Sequence, residues 1–175
     1  LSSINQKEET VIEDPPDVEN LEEEPVEEPP QEETPAPVVI PYIGTLEIPQ
    51  INLKRGFVAK DSPYNNINYA ITTLPSSTYP DVEKGNFILV AHSGSAAISF
   101  FRNLYKLAVG DAAYVEYNNV RYQYRIVNIY YVEKTGSVAL RRNYDKTTMT
   151  LITCTYQDDT KQTVYILEQE SQMPL

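Results

Sequence analysis

The 175-residue chain contains one cysteine and one histidine, Cys154 and His92. A lone cysteine excludes an internal disulfide framework, and leaves either an inert buried thiol or a reactive one. One cysteine and one histidine fall short of the four ligands that a structural zinc site takes. What the two can still form is a thiol–imidazole pair. No run of about 18 apolar residues occurs, so these residues hold no membrane-spanning helix. No basic stripe is visible either, and nothing points to a nucleic-acid partner.

The first 40 residues lack glycine and aromatic side chains altogether, and their only base is Lys7. They hold 13 of the 25 acidic residues and seven of the 13 prolines. The net charge of −11 is therefore concentrated in this segment, and the remainder of the chain is close to neutral. Low hydrophobicity, like charge and repeated proline cannot bury enough apolar surface to offset the entropy of ordering. Runs such as Glu22-Glu23-Glu24-Pro25 favour extended, self-repelling chain. Residues 1–40 are expected to be a disordered acidic Pro/Glu-rich linker, and residues 41–175 a folded body. The other reading of the segment is an acidic arm that folds back or binds a basic partner.

The body is mostly strand-like. Tyr42–Ile48 alternates and is closed by Pro49, and Leu53–Val58 follows. Residues 61–82 carry Pro63, Asn65, Asn66, Pro75 and Pro80 and read as loops. Phe87–Val90, between Gly85 and Gly94, suits a buried strand. Ile98, Phe101, Leu104 and Tyr105 keep helical spacing and predict a helix over Ala96–Leu107. Ala113–Tyr117 and Arg121–Val127 alternate on either side of Asn118-Asn119, a hairpin signal. Further strands are expected at Ile126–Glu133, Met149–Thr153 and Thr163–Glu168. Lys134-Thr135-Gly136 reads as a turn, without the glycine spacing of a phosphate loop. Fourteen tyrosines agree with strand propensity. Many short strands and one helix indicate a mainly β barrel, although pattern alone does not separate it from a sandwich.

The chemistry gathers at two strand ends. His92 follows Phe87–Val90, and Cys154 closes Thr150-Leu151-Ile152-Thr153-Cys154. A rigid strand meeting a loop holds a group firmly while leaving it open to substrate. Imidazole can lower a thiol's pKa or take its proton. The plain alternative is a satisfied strand-end histidine and a small core cysteine. Ser93 beside His92 reads as loop, next to Gly94 and Ser95.

Thr150-Leu151-Ile152-Thr153-Cys154, preceded by Ala91-His92-Ser93-Gly94 some 62 residues earlier, resembles the sortase family. The opening Tyr42-Ile43-Gly44-Thr45-Leu46-Glu47-Ile48-Pro49 is similar too, and the resemblance covers roughly 42–168. It implies a sortase-like eight-stranded β-barrel with one or two short helices. It also implies a cysteine transpeptidase in which Cys154 is the nucleophile and His92 the acid/base. The enzyme would cleave an LPxTG-like sorting signal of a surface protein through a thioacyl intermediate. The acyl group would pass to an amine of a cell-wall precursor or a pilin, without metal or organic cofactor. Such an enzyme works at the extracellular face of a Gram-positive-type cell, held by a membrane segment preceding Leu1. Thr153 is expected to help shape the substrate pocket.

One departure from the family pattern stands out. The family has an arginine at the start of the strand after the cysteine, where this chain reads Thr160-Lys161-Gln162-Thr163. No arginine follows Arg142. The register puts Gln162 at the arginine position, with Lys161 or Thr163 as alternatives within one residue; Gln162 is expected to take over the donor role, assisted by Lys161 or by a backbone amide. Two other readings compete: an extracytoplasmic cysteine peptidase, and a weak or inactive sortase-fold module that binds peptide or cell wall.

Overall fold

The computed structural model describes residues 7–13 and 39–175. Ten strands occur among them: β1 (Lys7–Glu13), β2 (Tyr42–Ile48), β3 (Leu53–Val58), β4 (Thr72–Thr73), β5 (Asn86–Val90), β6 (Ala112–Tyr117), β7 (Val120–Glu133), β8 (Ser137–Asn143), β9 (Thr148–Thr155) and β10 (Asp158–Pro174). Eight form one sheet in the order β3-β2-β6-β7-β10-β9-β5-β4. A parallel bridge between Phe57 and Ile71 joins its two edges, so the sheet is nearly closed. The expected mainly β barrel with two short helical turns is what the chain adopts. No described helix is long and apolar enough to cross a membrane.

The barrel interior is filled by alternate side chains, as the pleat requires. Phe57, Phe87, Leu89, Phe101, Tyr124 and Leu151 are all buried there. β5 and β9 are buried along nearly their whole length, a sign that both faces are covered. A second apolar cluster explains it. Ile88, Val90, Ile152, Val164 and Ile166 lie on the outer face with Val138 and Leu140 of β8, and with Ile67 and Leu74 on either side of β4. Cys154 belongs to this outer cluster.

The hairpin at Asn118-Asn119 forms with both residues at positive φ, +50° and +64°, as a two-residue turn between twisted strands demands. The two strands expected around Ile126 are one. β7 runs from Val120 to Glu133, and a bulge leaves Val127 without a partner on β10. Tyr122, Tyr124 and Ile126 fill the barrel, whereas Tyr130 and Val132 belong to the outer cluster.

The helix predicted over Ala96–Leu107 is not formed; only Leu104–Lys106 makes a 3₁₀ turn. Arg102 donates to the carbonyls of Ala96 (2.8 Å) and Ser99 (3.2 Å), acceptors a helix would use. The Phe101 amide is drawn to the His92 carbonyl at 2.9 Å, and Ser99, Arg102 and Leu104 close three-residue turns. The spacing of Phe101 and Leu104 reflects burial in the barrel rather than helical backbone.

The position of β1 departs from expectation, since it falls in the acidic segment. It pairs antiparallel with β8, from Lys7 opposite Asn143 to Glu13 opposite Ser137, and Ile12 is buried in the outer cluster. Its Lys7-Glu8-Glu9-Thr10-Val11-Ile12-Glu13 stretch is free of proline and carries a Val-Ile pair, which suits an added strand. The linker expectation for 1–6 and 14–38 lies outside the described residues. A chain lacking residues 1–13 should exchange its Val138, Leu140 and Arg142 amides at least about tenfold faster, because β1 is the strand that β8 pairs with among the described residues, while the Arg141 amide keeps the Tyr130 hydroxyl. Hydrogen exchange read by mass spectrometry measures this.

Candidate active site

β5 and β9 run parallel, with Val90 opposite Ile152. Two residues further, the same register sets His92 opposite Cys154, and alternation turns both to the outer face. Both are enclosed, His92 at 2% and Cys154 at 1% exposure. The strand ends are fastened where they leave the sheet. The Ala91 amide donates to the Ile152 carbonyl (3.4 Å), and the Thr153 hydroxyl to the Ala91 carbonyl (2.7 Å). The Ser93 hydroxyl donates to the Cys154 carbonyl at 3.0 Å. Ser93 is thus a clasp on the cysteine backbone.

Thr153 points to the barrel side, away from Cys154, and its observed partner is the Ala91 carbonyl. It positions the end of β9 against the loop that carries His92.

On the other side of β9, Gln162 of β10 pairs directly with Cys154, and also with Val132 of β7. Its side chain shares the outer face and is fully buried. Neither its amide nitrogen nor its amide oxygen has a hydrogen-bond partner among the described residues. Burying such a group unpaired costs about 1–3 kcal/mol, so an amide beside the thiol is ready for a ligand's polar atoms.

Lys161, the assistant expected from the sequence, stands opposite Glu133, on the reverse face of β10 from Cys154. Another lysine is near the thiol. Lys134, just after β7, brings its ammonium to 3.8 Å from Sγ of Cys154. Its backbone amide donates to the Thr160 carbonyl at 3.0 Å. The turn that the sequence predicts over Lys134-Thr135-Gly136 is present at Gly136, at φ +88°. The reach of the lysine side chain depends on strand register that the sequence does not display.

Arg142 is not a displaced version of the absent arginine. It is buried, and its guanidinium donates to the Gly85, Lys84 and Lys146 carbonyls and to the Thr148 hydroxyl. Thr148 stands at the far end of β9, about 20 Å from Cys154 at strand rise.

Beyond the pair, a cleft of about 410 Å³ opens between the loops after β5 and β9. Ser93 and Gln157 line it, and Tyr105 and Tyr156 stack at its rim with ring centroids 3.7 Å apart. The turn after Cys154 is held by Asp158. Hydrogen bonds from the Thr160 hydroxyl and amide keep its carboxyl below the usual carboxylate range.

Residues 46–169 match a family model described as a sortase domain. Among solved structures, sortase C1 of Streptococcus agalactiae is 26% identical, over 74% of this chain and 68% of that one, with a TM-score of 0.63. Sortase A of Listeria monocytogenes is 21% identical, over 77% and 90%, with a TM-score of 0.62. A sortase D5 transpeptidase of Clostridium perfringens is 24% identical, over 74% and 79%, with a TM-score of 0.60. No curated protein matches the chain by sequence.

Proposed function

The chain belongs to the sortase family, and from this we propose that it is a cysteine transpeptidase acting on an LPxTG-like sorting signal. The observation that supports this reading is that the parallel register of β5 and β9, Val90 opposite Ile152, brings His92 and Cys154 to the same end of adjacent strands. The Cys154 thiol gives its proton to the His92 imidazole. The thiolate attacks the threonine carbonyl of the signal, forming a carbon–sulfur bond and an oxyanion. Collapse breaks the amide bond, and the imidazolium protonates the departing amine. An amine of a cell-wall precursor or a pilin then attacks the thioester, passes its proton to His92, and releases the thiolate. Splitting amide exchange in two lowers each barrier. The enzyme works at the outer face of the cell membrane.

Gln162 takes the donor role at the oxyanion, since its buried amide has no partner among the described residues. Loss of one such donor costs about 100- to 1,000-fold in turnover. Gln162→Ala should therefore slow steady-state peptide cleavage by that factor, with KM little changed. Unchanged turnover would remove Gln162 from the mechanism.

The test of the whole reading is mass spectrometry after incubation with a Leu-Pro-any-Thr-Gly peptide library, with and without an amine acceptor. A thioacyl adduct on Cys154 and a ligated product are expected. Acid alone in the presence of amine would mean a peptidase. No adduct, while a small thiol reagent still modifies Cys154, would sink the catalytic reading.

A further inference from the structure

Gln162 supplies a hydrogen-bond donor beside the thiol but no charge, whereas thiolate and oxyanion are both anions. A reactive thiol is held at low pKa by a cation in its surroundings. Several charged groups lie near the outer face, and most are committed elsewhere. Arg142 is engaged at the far end of β9. Arg141 lies over the Tyr130 ring, 4.5 Å from its centroid. Arg102 is bonded to the Ala96 and Ser99 carbonyls. Lys161 and Glu133, opposite each other, are on the reverse face. β1, paired with β8, has one lysine and three glutamates in its sequence. Lys134 differs from all of these in setting its charged atom against the sulfur itself, at 3.8 Å.

We propose that Lys134 is the cation of this site, a catalytic residue that stabilises the Cys154 thiolate and then, with the Gln162 amide, the oxyanion. The proposal rests on the transpeptidase reading above and adds the source of its charge. The charge comes from the end of β7, two strands from Cys154, rather than from β10 itself. Two strand spacings are about 10 Å, and a lysine stem crosses most of that gap. Val132, two residues earlier on β7, adjoins Gln162, so Lys134 extends the same row beyond it. The backbone bond to Thr160 fixes the strand end, and Gly136 turns the chain away directly afterwards. The side chain is half-buried, so its field is less screened than that of a surface lysine.

The proton transfers run through His92 alone. The thiol proton goes to His92. As the carbon–sulfur bond forms, the carbonyl electron pair moves to oxygen, and the negative charge passes from sulfur to oxygen within reach of the same cation. Collapse returns that pair to the carbonyl and expels the amine, which takes the His92 proton.

The experiment measures alkylation of Cys154 by iodoacetamide against pH in the full chain, for the wild type, Lys134→Met, Lys134→Gln and Lys134→Arg. The readout is the apparent midpoint of the profile, which belongs to the site as a whole rather than to one group. A nearby positive charge lowers a thiol midpoint, hence its removal raises it. At a pH well below the midpoint, raising the midpoint by about one pH unit leaves roughly a tenth of the thiolate. Lys134→Met and Lys134→Gln should move the midpoint up by about that much and slow alkylation at pH 7 about tenfold. Lys134→Arg should restore the wild-type midpoint. The midpoint, unlike the absolute rate, does not depend on how easily the reagent enters. Folding of each variant is checked by its melting curve, and having two neutral variants guards against one that misfolds. Profiles of both neutral variants that superimpose on the wild type would overturn the proposal. The two readings also fail separately. A wild type that processes no peptide, yet whose midpoint rises on loss of Lys134, keeps the cation and loses the transpeptidase. A wild type that processes peptide, with Lys134→Met and Lys134→Gln unchanged in both assays, does the reverse.

Discussion

Cys154→Ala should form no thioacyl adduct and lose about 10⁶-fold in turnover, the scale seen when a covalent nucleophile is removed. No neighbouring side chain can take over the attack. Ser93 is the nearest hydroxyl in sequence to His92, and it is engaged with the Cys154 carbonyl. His92→Ala should cost less, about 100- to 10,000-fold, because Lys134 and Gln162 remain beside the sulfur and a general acid–base contributes on that scale. Single-turnover mass spectrometry separates the two variants. His92→Ala should still acylate slowly, whereas Cys154→Ala should not acylate at all. An acyl enzyme of Cys154→Ala would place the nucleophile elsewhere.

Arg142→Ala should be the most damaging substitution away from the chemistry, lowering stability by about 3 kcal/mol, the scale of losing one or two hydrogen bonds to a charged donor. Its guanidinium serves three carbonyls and one hydroxyl from the starts of β5 and β9, and it stacks on Tyr144 at 4.3 Å. Burial pulls its pKa down, but a guanidinium stays charged at any pH where the barrel is folded. Removal therefore takes a charged donor from four polar atoms, of which the Gly85 carbonyl and the Thr148 hydroxyl keep other partners, and opens a void. A melting midpoint lower by about 10 °C is expected for a body of this size. Lys134→Met, by contrast, should melt within a degree or two of the wild type, since its stem is half-buried and its ammonium is not a structural bond. A small effect at Arg142 would mean that β8 does not clamp the starts of β5 and β9.

The parts of the fold written in local patterns were legible. β2 and β3 begin and end at the expected residues, because Pro49 and the turn at Asn52 punctuate them. Asn118-Asn119 announced its hairpin, since few other residues accept two successive positive φ values. The failures have particular causes. β8 went unread because an arginine occupies a buried position of its alternation, Val138, Leu140 and Arg142. The false helix came from apolar spacing that a loop can also satisfy when Phe101 and Leu104 plug a barrel end.

At the candidate site, two motifs singled out Cys154 and His92, and the family register singled out Gln162, all from short stretches of sequence. Lys134 needed more. Its nearness to the thiol depends on how β7 is aligned to β10 and β10 to β9, two long-range pairings that leave no local mark. Lys161, adjacent to Gln162 in sequence, looked nearer and lies on the wrong side of the sheet.

Val127, the unpaired residue in the middle of β7, sets the parity of the strand. Counted without interruption from Tyr122 and Tyr124, which point into the barrel, every even-numbered residue would point inward. Lys134 would then be sealed in the apolar interior, and Glu133 would face Cys154. The one extra residue inverts the count, as Tyr130 and Val132 on the outer face attest. A single-residue irregularity some seven positions away thus decides whether a positive or a negative charge confronts the sulfur. Shortening or lengthening β7 by one residue would reverse the sign of the local field without changing any residue of the site itself.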